Sequence, residues 1–374
     1  MHTMHPTLLI GPGDWDPQRI PRKDYDERLA ALWHDHPNAS GAIIYGNARD
    51  HAALAYLTHF TPKLEAAIAL MPRNGEPKML IGGGVNMLPA AKPLTFVSAL
   101  APLRDAAKTI ADWAAGLDAG GSLVLLGGDA MPYDLRRALD RALSGRRIED
   151  GDTVLQGQMR RKSSGEIEIL RRACAILDHA VTTLREAIRN GKDVTDCVVA
   201  TEHAAVQRGA QDVRSLFSLD GGRTLRPFDV PVARRCDPLQ AYLAVRHDGY
   251  WADAFVRIGT QGDRLGGQAA KMLEAMIAGM KPGLSARALH QLADAERGAH
   301  AHHPLADSIF GSSAGLSLDE PPLLRRNGDA LLEAGAVYSL RSGIIGDAGG
   351  AVASAIALVT ERGAELLWPM DSLS

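Results

Sequence analysis

Residues 159–187 read MRRKSSGEIEILRRACAILDHAVTTLREA. Ser163 precedes Glu166 by three positions, the spacing at which a hydroxyl caps a helix and a carboxylate reaches back to the cap. Ile167, Leu170, Cys174, Leu177, Val181 and Leu184 then recur at helical intervals, which predicts one long amphipathic helix. The polar stretch RRIEDGD at 146–152 and the basic run Arg160, Arg161, Lys162 lie just before it. A chain of 374 residues is long enough for two or three domains, and the boundary read here divides it into domains 1–150 and 151–374.

Downstream, a motif occurs twice. AIRNGKDVTD at 187–196 leads into a helix ending at Gln207-Arg208-Gly209-Ala210, and AGMKPGLSAR at 278–287 into one ending at Glu296-Arg297-Gly298-Ala299. Each copy reads as helix, Gly turn, hydroxyl N-cap, helix and Gly stop. Strand-like runs follow, AYLAV at 241–245 and AVYSL at 336–340. The second domain is therefore expected to be two related α/β halves sharing a sheet, with a site between them. Upstream, GAIIYG (41–46), AAIALMP (66–72), KMLIGG (78–83) and SLVLLGGD (122–129) alternate with helical stretches, an α/β rhythm. The glycines at 82–84 and 127–128 lack the spacing of a phosphate loop and read as turns.

With 41 Lys plus Arg against 44 Asp plus Glu, the net charge is −3, which argues against a general nucleic-acid or membrane-surface binder. Three cysteines, Cys174, Cys197 and Cys236, without Cys-x-x-Cys spacing, predict reduced, partly buried thiols. No apolar run approaches the roughly 18 residues of a membrane span, and the N-terminus lacks signal-peptide character. The expected compartment is the cytoplasm. His2 and His5 are expected in a disordered terminus.

The order and spacing of MRRKSSGEIE (159–168), HDGYWAD (247–253), MKPG (280–283), GLSLDEPP (315–322), LEAGAVYSL (332–340) and LVTERGAELL (358–367) resemble the pita-bread metallopeptidases. That family includes methionine aminopeptidase, prolidase, proline-specific aminopeptidase and the metal-free amidinohydrolase creatinase. The resemblance implies an α/β (α+β) protein, with a small creatinase/prolidase-type N-terminal domain before a pita-bread domain of two related halves. It also implies a homodimer, in which Tyr45 or Arg49 of one subunit are candidates to line the other's site; ordinary loop placement is the simpler expectation for both.

Active peptidases of this family hold two divalent metals with two Asp, one His and two Glu, because paired cations need anionic ligands at close range. Carried over residue by residue, the first Asp position is Tyr242, the second is Asp253, the His is Ser312, and the two Glu positions are Arg341 and Ser354. Only Asp253 survives. Four carboxylates that would balance two divalent cations are replaced by one carboxylate and one guanidinium, and such a pair does not attract metal. No metal and no cofactor is therefore expected. The base that creatinase uses falls on Phe228, within DGGRTLRPFDVP, and a second family His falls on Asp319, although Glu320 and Pro321 remain.

The expected pocket holds Asp253, Asp319 and Tyr242 as proton-handling groups. Arg341, Phe228, Ser312, Ser354 and Arg223 (or Arg226) are its substrate contacts, with Arg341 anchoring an anion in place of the metals and pairing with Asp253. A structural cluster of Asp253, Arg341 and Tyr242 plugging the vacated site is an equal alternative; Arg341 pointing to solvent is another. Ser312 and Ser354 have no base at any family position and read as small space-fillers. His300, His302 and His303 are the most metal-like local cluster, with Asp307 nearby, but a solvated loop is the simpler expectation.

The sequence thus points first to a metal-independent, creatinase-like hydrolase or lyase acting on a C–N or related bond of a small, polar, anionic molecule. A noncatalytic relative that binds a ligand or partner, and a metal-dependent proline-specific aminopeptidase or prolidase with misaligned ligands, stay open.

Overall fold

The computed structural model describes residues 10–11, 13–63, 65–228, 230–259 and 263–368. His2 and His5 lie outside them. The chain divides into two compact units, Met1–Met159 and Arg160–Ser374, a division at 159/160 rather than 150/151.

In the first unit, six strands lie in the spatial order Ala99–Pro102, Lys78–Ile81, Ala67–Pro72, Ala39–Gly46, Ser122–Leu126 and Ile148–Asp150. Helices Ala106–Ala115 and Tyr133–Ala142 supply Ile110 and Leu139 to the core on one face. Gly127 turns the chain at φ 72°, and a side chain there would run into the Tyr45 carbonyl. Tyr45 is 3% exposed inside this core on the strand Ala39–Gly46, which differs both from the loop placement expected for it and from its candidate place at another subunit's site. Arg49 is exposed in the following turn.

The second unit opens with α1 (Ser164–Arg189), and the capping box forms: the Ser163 hydroxyl accepts from the Glu166 amide while Glu166 accepts from the Ser163 amide. Gly191, at φ 69°, turns the chain into α2 (Val194–Gln207). Its cap is Asp193 rather than a hydroxyl; the second copy does use Ser285, before α4 (Ala286–Glu296). Both copies end on left-handed glycines, Gly209 and Gly298.

Between the copies run β1 (Asp212–Phe217), β2 (Arg226–Pro227), β3 (Leu239–His247) and β4 (Tyr250–Ile258), an antiparallel sheet in the order β2-β1-β3-β4. After α3 (Arg264–Gly279) and α4 come β5 (Ile309–Ser313), β6 (Glu320–Arg325), β7 (Val337–Gly346), β8 (Gly349–Thr360) and β9 (Gly363–Trp368), ordered β6-β5-β7-β8-β9. The halves thus have separate sheets, where one shared sheet was expected. Side chains staple the two together. Gln240 of β3 donates to the Val352 carbonyl and accepts from the Val352 amide of β8, both at 3.0 Å.

Alternation along each strand decides what faces the helices. On β8, Ala351, Ala353, Ala355 and Ala357 pack with Met272, Leu273 and Met276 of α3, where small side chains admit a helix closely. Ser354, one residue out of phase, belongs to the opposite face. On β4, Tyr250 reaches Glu166 of α1 through a 3.0 Å hydrogen bond. Trp251, Asp253 and Phe255 therefore turn away from α1, toward the second sheet.

Candidate functional site

Asp253 is 8% exposed near the middle of β4. Burial pushes its carboxyl up to about 6; the Ser339 hydroxyl, the Arg341 charge and the Tyr242 hydroxyl oppose that rise, and Asp319 adds to it. Ser339 lies on β7 of the other half, so the site is assembled across the two sheets. Tyr242, on β3 opposite Phe255, stacks on that ring at 4.7 Å. Its phenol is pushed well above its ordinary range by burial and then by the Asp253 and Asp319 charges, so it remains a proton-bearing donor.

Arg341 is half-buried, its guanidinium 5.7 Å from the centre of the Phe255 ring and its Nε donating to the Ile309 carbonyl at 3.2 Å. It neither points to solvent nor pairs directly with Asp253; it acts on the carboxylate through its field, which corrects the expected ion pair. Asp319 is exposed on the turn before β6 and likewise acts at a distance. That turn is anchored by Glu320, which accepts from the Leu316 amide at 3.1 Å and forms a buried ion pair with Lys162.

Other expected contacts are otherwise engaged. Ser354 is fully buried and its hydroxyl accepts from the Phe255 amide at 2.7 Å, so it fastens β8 to β4 instead of meeting a ligand. Ser312 is buried, with its hydroxyl 3.5 Å from the Leu318 carbonyl, and it lies opposite Ser339. Arg223 is exposed and donates to the Asp347 carbonyl at 2.6 Å, a contact that ties the Gly221–Gly222 turn to the β7–β8 hairpin; it is removed from the expected ligand contacts. Arg226 is exposed on β2. Phe228 is half-buried, one residue beyond Pro227, which lies in the cross-strand row Pro227, Leu216, Tyr242, Phe255.

The histidine cluster is not a solvated loop. His303 is fully buried, its Nε2 2.9 Å from the Gly222 carbonyl and its Nδ1 accepting from the Leu305 amide at 3.2 Å. Burial pushes its pKa down, so it is a neutral brace. His302 lies 2.9 Å from Asp294 and its ring is 5.2 Å from that of His290. Among the described residues no three His, Cys, Asp or Glu side chains come together as a metal-holding group.

The model of metallopeptidase family M24 matches residues 168–361. The chain belongs to family M24. It is 24% identical over 248 residues to the Xaa-Pro dipeptidase of Pyrococcus horikoshii, covering 64% of this chain and 71% of that one. The fold is that of the prolidase crystal structure from the same organism, at TM-score 0.74 and 18% identity over 92% of this chain and 98% of that one. The X-Pro aminopeptidase structure from Thermotoga maritima gives TM-score 0.74 at 19% identity, covering 90% and 97%.

The family name implies metal, but the donors here do not suit it. Of the five M24 ligand positions carried over above, Ser354 is committed to the Phe255 backbone and Arg341 brings a positive charge. Tyr242 keeps its proton, and only Asp253 offers a carboxylate. Two divalent cations would meet one anionic ligand. The arrangement that remains is a buried carboxyl able to exchange a proton near neutrality, beside a phenol, a serine and a guanidinium.

The sequence missed Ser339, whose hydroxyl bonds Asp253 across the sheets. It also missed Arg214, Arg246 and Trp251, which share the face of Asp253. Counting outward along β3 and β4 from the Asp248–Gly249 turn carried a signal for Arg246 and Trp251; no local signal set the register of β1 that brings Arg214 to the same face.

Proposed function

We propose that this chain is a metal-independent member of family M24 that acts on a C–N or related bond of a small, polar, anionic molecule bound between the two sheets. The observation that carries the reading is Asp253, a buried carboxyl moved to about 6, which places both its protonation states within reach at physiological pH. Asp253 takes and returns the proton, the Tyr242 phenol donates a hydrogen bond to the reacting group, and Arg341 fixes negative charge on the substrate. The names of the dipeptidase relatives support a small, peptide-like substrate. The family's description as metallopeptidases favours a metal-dependent peptidase, against which the donor set above weighs. A homodimer belongs to the same reading, as does a cytoplasmic location; no described helix is long and apolar enough to cross a membrane.

Metal analysis of the purified protein after incubation with manganese or cobalt tests the proposal. No stoichiometric metal and no rise in melting temperature is expected; two tightly held equivalents with marked stabilisation would overturn metal independence. A thermal-shift screen of small carboxylates and amides, with Arg341→Ala and Asp253→Asn alongside, then separates function from a structural plug. A functional site loses ligand stabilisation in both variants. A ligand that binds but is recovered unchanged would identify a noncatalytic binder.

A further inference from the structure

The first unit carries a cavity of about 670 Å³ where the strands Ala39–Gly46 and Ser122–Leu126 begin and the strand Ala67–Pro72 ends. That volume is in the range of small-molecule sites. Asn38, Ser40, Arg73, Asn74, Asp118 and Arg147 line it together with three glycines, so the wall is polar, and most of these residues are half-buried or exposed. Arg73 is held firmly. Its Nε donates to the Ala39 carbonyl at 2.7 Å, and its Nη2 donates to the carbonyls of Trp33 and His36 at 3.1 and 2.7 Å. The guanidinium also lies 5.4 Å from the centre of the Trp33 ring.

A guanidinium has five N–H donors, and these carbonyls take three of them. Both Nη1 hydrogens are left without a partner among the described residues, on a side chain that lines the cavity. A cation at the end of the helix Arg22–Asp35 is explained by the carbonyl contacts; the two spare donors are not. The opposite wall is fixed as well. Arg146 donates through Nη2 to the Ser40 hydroxyl at 2.7 Å and the Asp118 carbonyl at 2.8 Å, and through Nη1 to the Ala114 carbonyl at 3.2 Å. The Asp118 carboxylate is turned to its own loop, where it accepts from the Gly120 amide at 3.1 Å.

Arg73 and Arg147 against Asp118 leave the lining with a net charge of +1, which favours an anion. The kind of anion follows from which donors remain. A guanidinium grips a flat carboxylate along an edge that presents two nitrogens. With Nε and Nη2 spent, Arg73 offers no such edge and makes contact through one nitrogen. A second cation must then meet the anion from another direction, and Arg147 is available for this, 75% exposed and 3.3 Å from Glu149, a carboxylate it shares with His36. Oxygens that point in different directions belong to a tetrahedral oxyanion. We propose that this cavity binds a small hydroxylated molecule carrying a phosphate, of the class of the sugar monophosphates, with the phosphate at Arg73 and Arg147 and the hydroxyls at the Asn38 and Asn74 amides, which both donate and accept. The site lies wholly within the first unit and does not depend on the reading of Asp253.

Calorimetric titration of the full chain with ribose 5-phosphate and glucose 6-phosphate, with ribonate and gluconate, with the free sugars and with inorganic phosphate reads the anion and the body separately. One of the two sugar phosphates is expected to bind at least about tenfold more tightly than its carboxylate counterpart, its free sugar and inorganic phosphate. Arg147→Gln should weaken that binding by about tenfold or more without shifting the urea midpoint, since the side chain is largely exposed, and Arg147→Lys should restore part of it. Asn74→Ala should weaken the sugar phosphate and leave inorganic phosphate unchanged. Asp253→Asn should alter none of these affinities. No binding of either sugar phosphate at millimolar concentration, equal binding of the carboxylates or of inorganic phosphate, or affinity that survives Arg147→Gln would each overturn the proposal. Loss of binding in Asp253→Asn would overturn it too, by placing the phosphate at the site between the sheets.

Discussion

Asp253→Asn is the substitution whose consequence follows most directly from the structure, and its sign is unusual for a carboxylate. The group rises from an ordinary 3.8 to about 6 in the folded protein because burial outweighs its hydrogen bonds to Ser339 and Tyr242 and the field of Arg341. Between those two values the folded state binds more protons than the unfolded state, so stability falls as the pH rises through the interval. At 1.36 kcal/mol per pH unit the loss reaches about 3 kcal/mol above pH 6 and is constant beyond it. Asparagine cannot ionise. The variant should therefore match or fall below the wild type at pH 4, where it has only exchanged a protonated acid for an amide, and gain on it by about 3 kcal/mol by pH 7. Urea unfolding of both proteins across this range measures the difference directly. A wild-type advantage that grows with pH would refute the reasoning, because it would mean that Arg341 and the hydroxyls hold the carboxylate below its ordinary value. A difference that does not vary with pH would refute it as well, because Asp253 would then be solvated.

Two further outcomes concern groups that hold the site in place. Ser354→Ala should cost about 1–3 kcal/mol by leaving the buried Phe255 amide without its acceptor, measured by urea midpoint, while ligand binding at the Asp253 face is unchanged. Lys162→Met should cost about 3–5 kcal/mol by stranding the Glu320 carboxylate, 4% exposed, without its cation, and adding Glu320→Gln in the same chain should recover most of that loss.

Local signals in the sequence carried much of the fold. The Ser163–Glu166 capping box, the left-handed glycines closing both copies of the repeat, and the apolar alternation of the strands each depend on residues a few positions apart. One longer-range relation was also readable. Asp248 and Gly249, at φ 46° and 86°, form a two-residue turn that pairs His247 with Tyr250, and such a turn fixes the register of its hairpin. Tyr242 opposite Phe255 and Asp253 opposite Ala244 follow by counting outward from it. No short turn joins β1 to β3: twenty-one residues separate Phe217 from Leu239, and nothing in that interval sets which residue of β1 meets Ala244. Arg214 was invisible for that reason, although its residue type would have drawn attention had its place been known. Ser339 was harder still, because its bond to Asp253 joins separate sheets. His303 failed for the opposite reason, since polar residues between elements read as solvated unless the backbone groups that will satisfy both ring nitrogens are known.

The five M24 ligand positions show why a count of lost ligands is weaker than their geometry. Counted alone, Tyr242, Ser312, Arg341 and Ser354 are four equal losses. In the structure they differ. Ser354 has become part of the fold, bonded to the Phe255 backbone, and a carboxylate there would have to break that staple before it could bind anything. Arg341 is held over the Phe255 ring by the Ile309 carbonyl, and its charge acts against any cation brought to Asp253. Tyr242 is held to its proton by burial and then by the carboxylates near it. On the proposed metal-independent reading, restoring a metal would therefore need more than one substitution. Reversing Arg341 alone would remove the nearby positive charge and push the Asp253 carboxyl still higher, toward a neutral acid, which is the opposite of what a metal ligand requires.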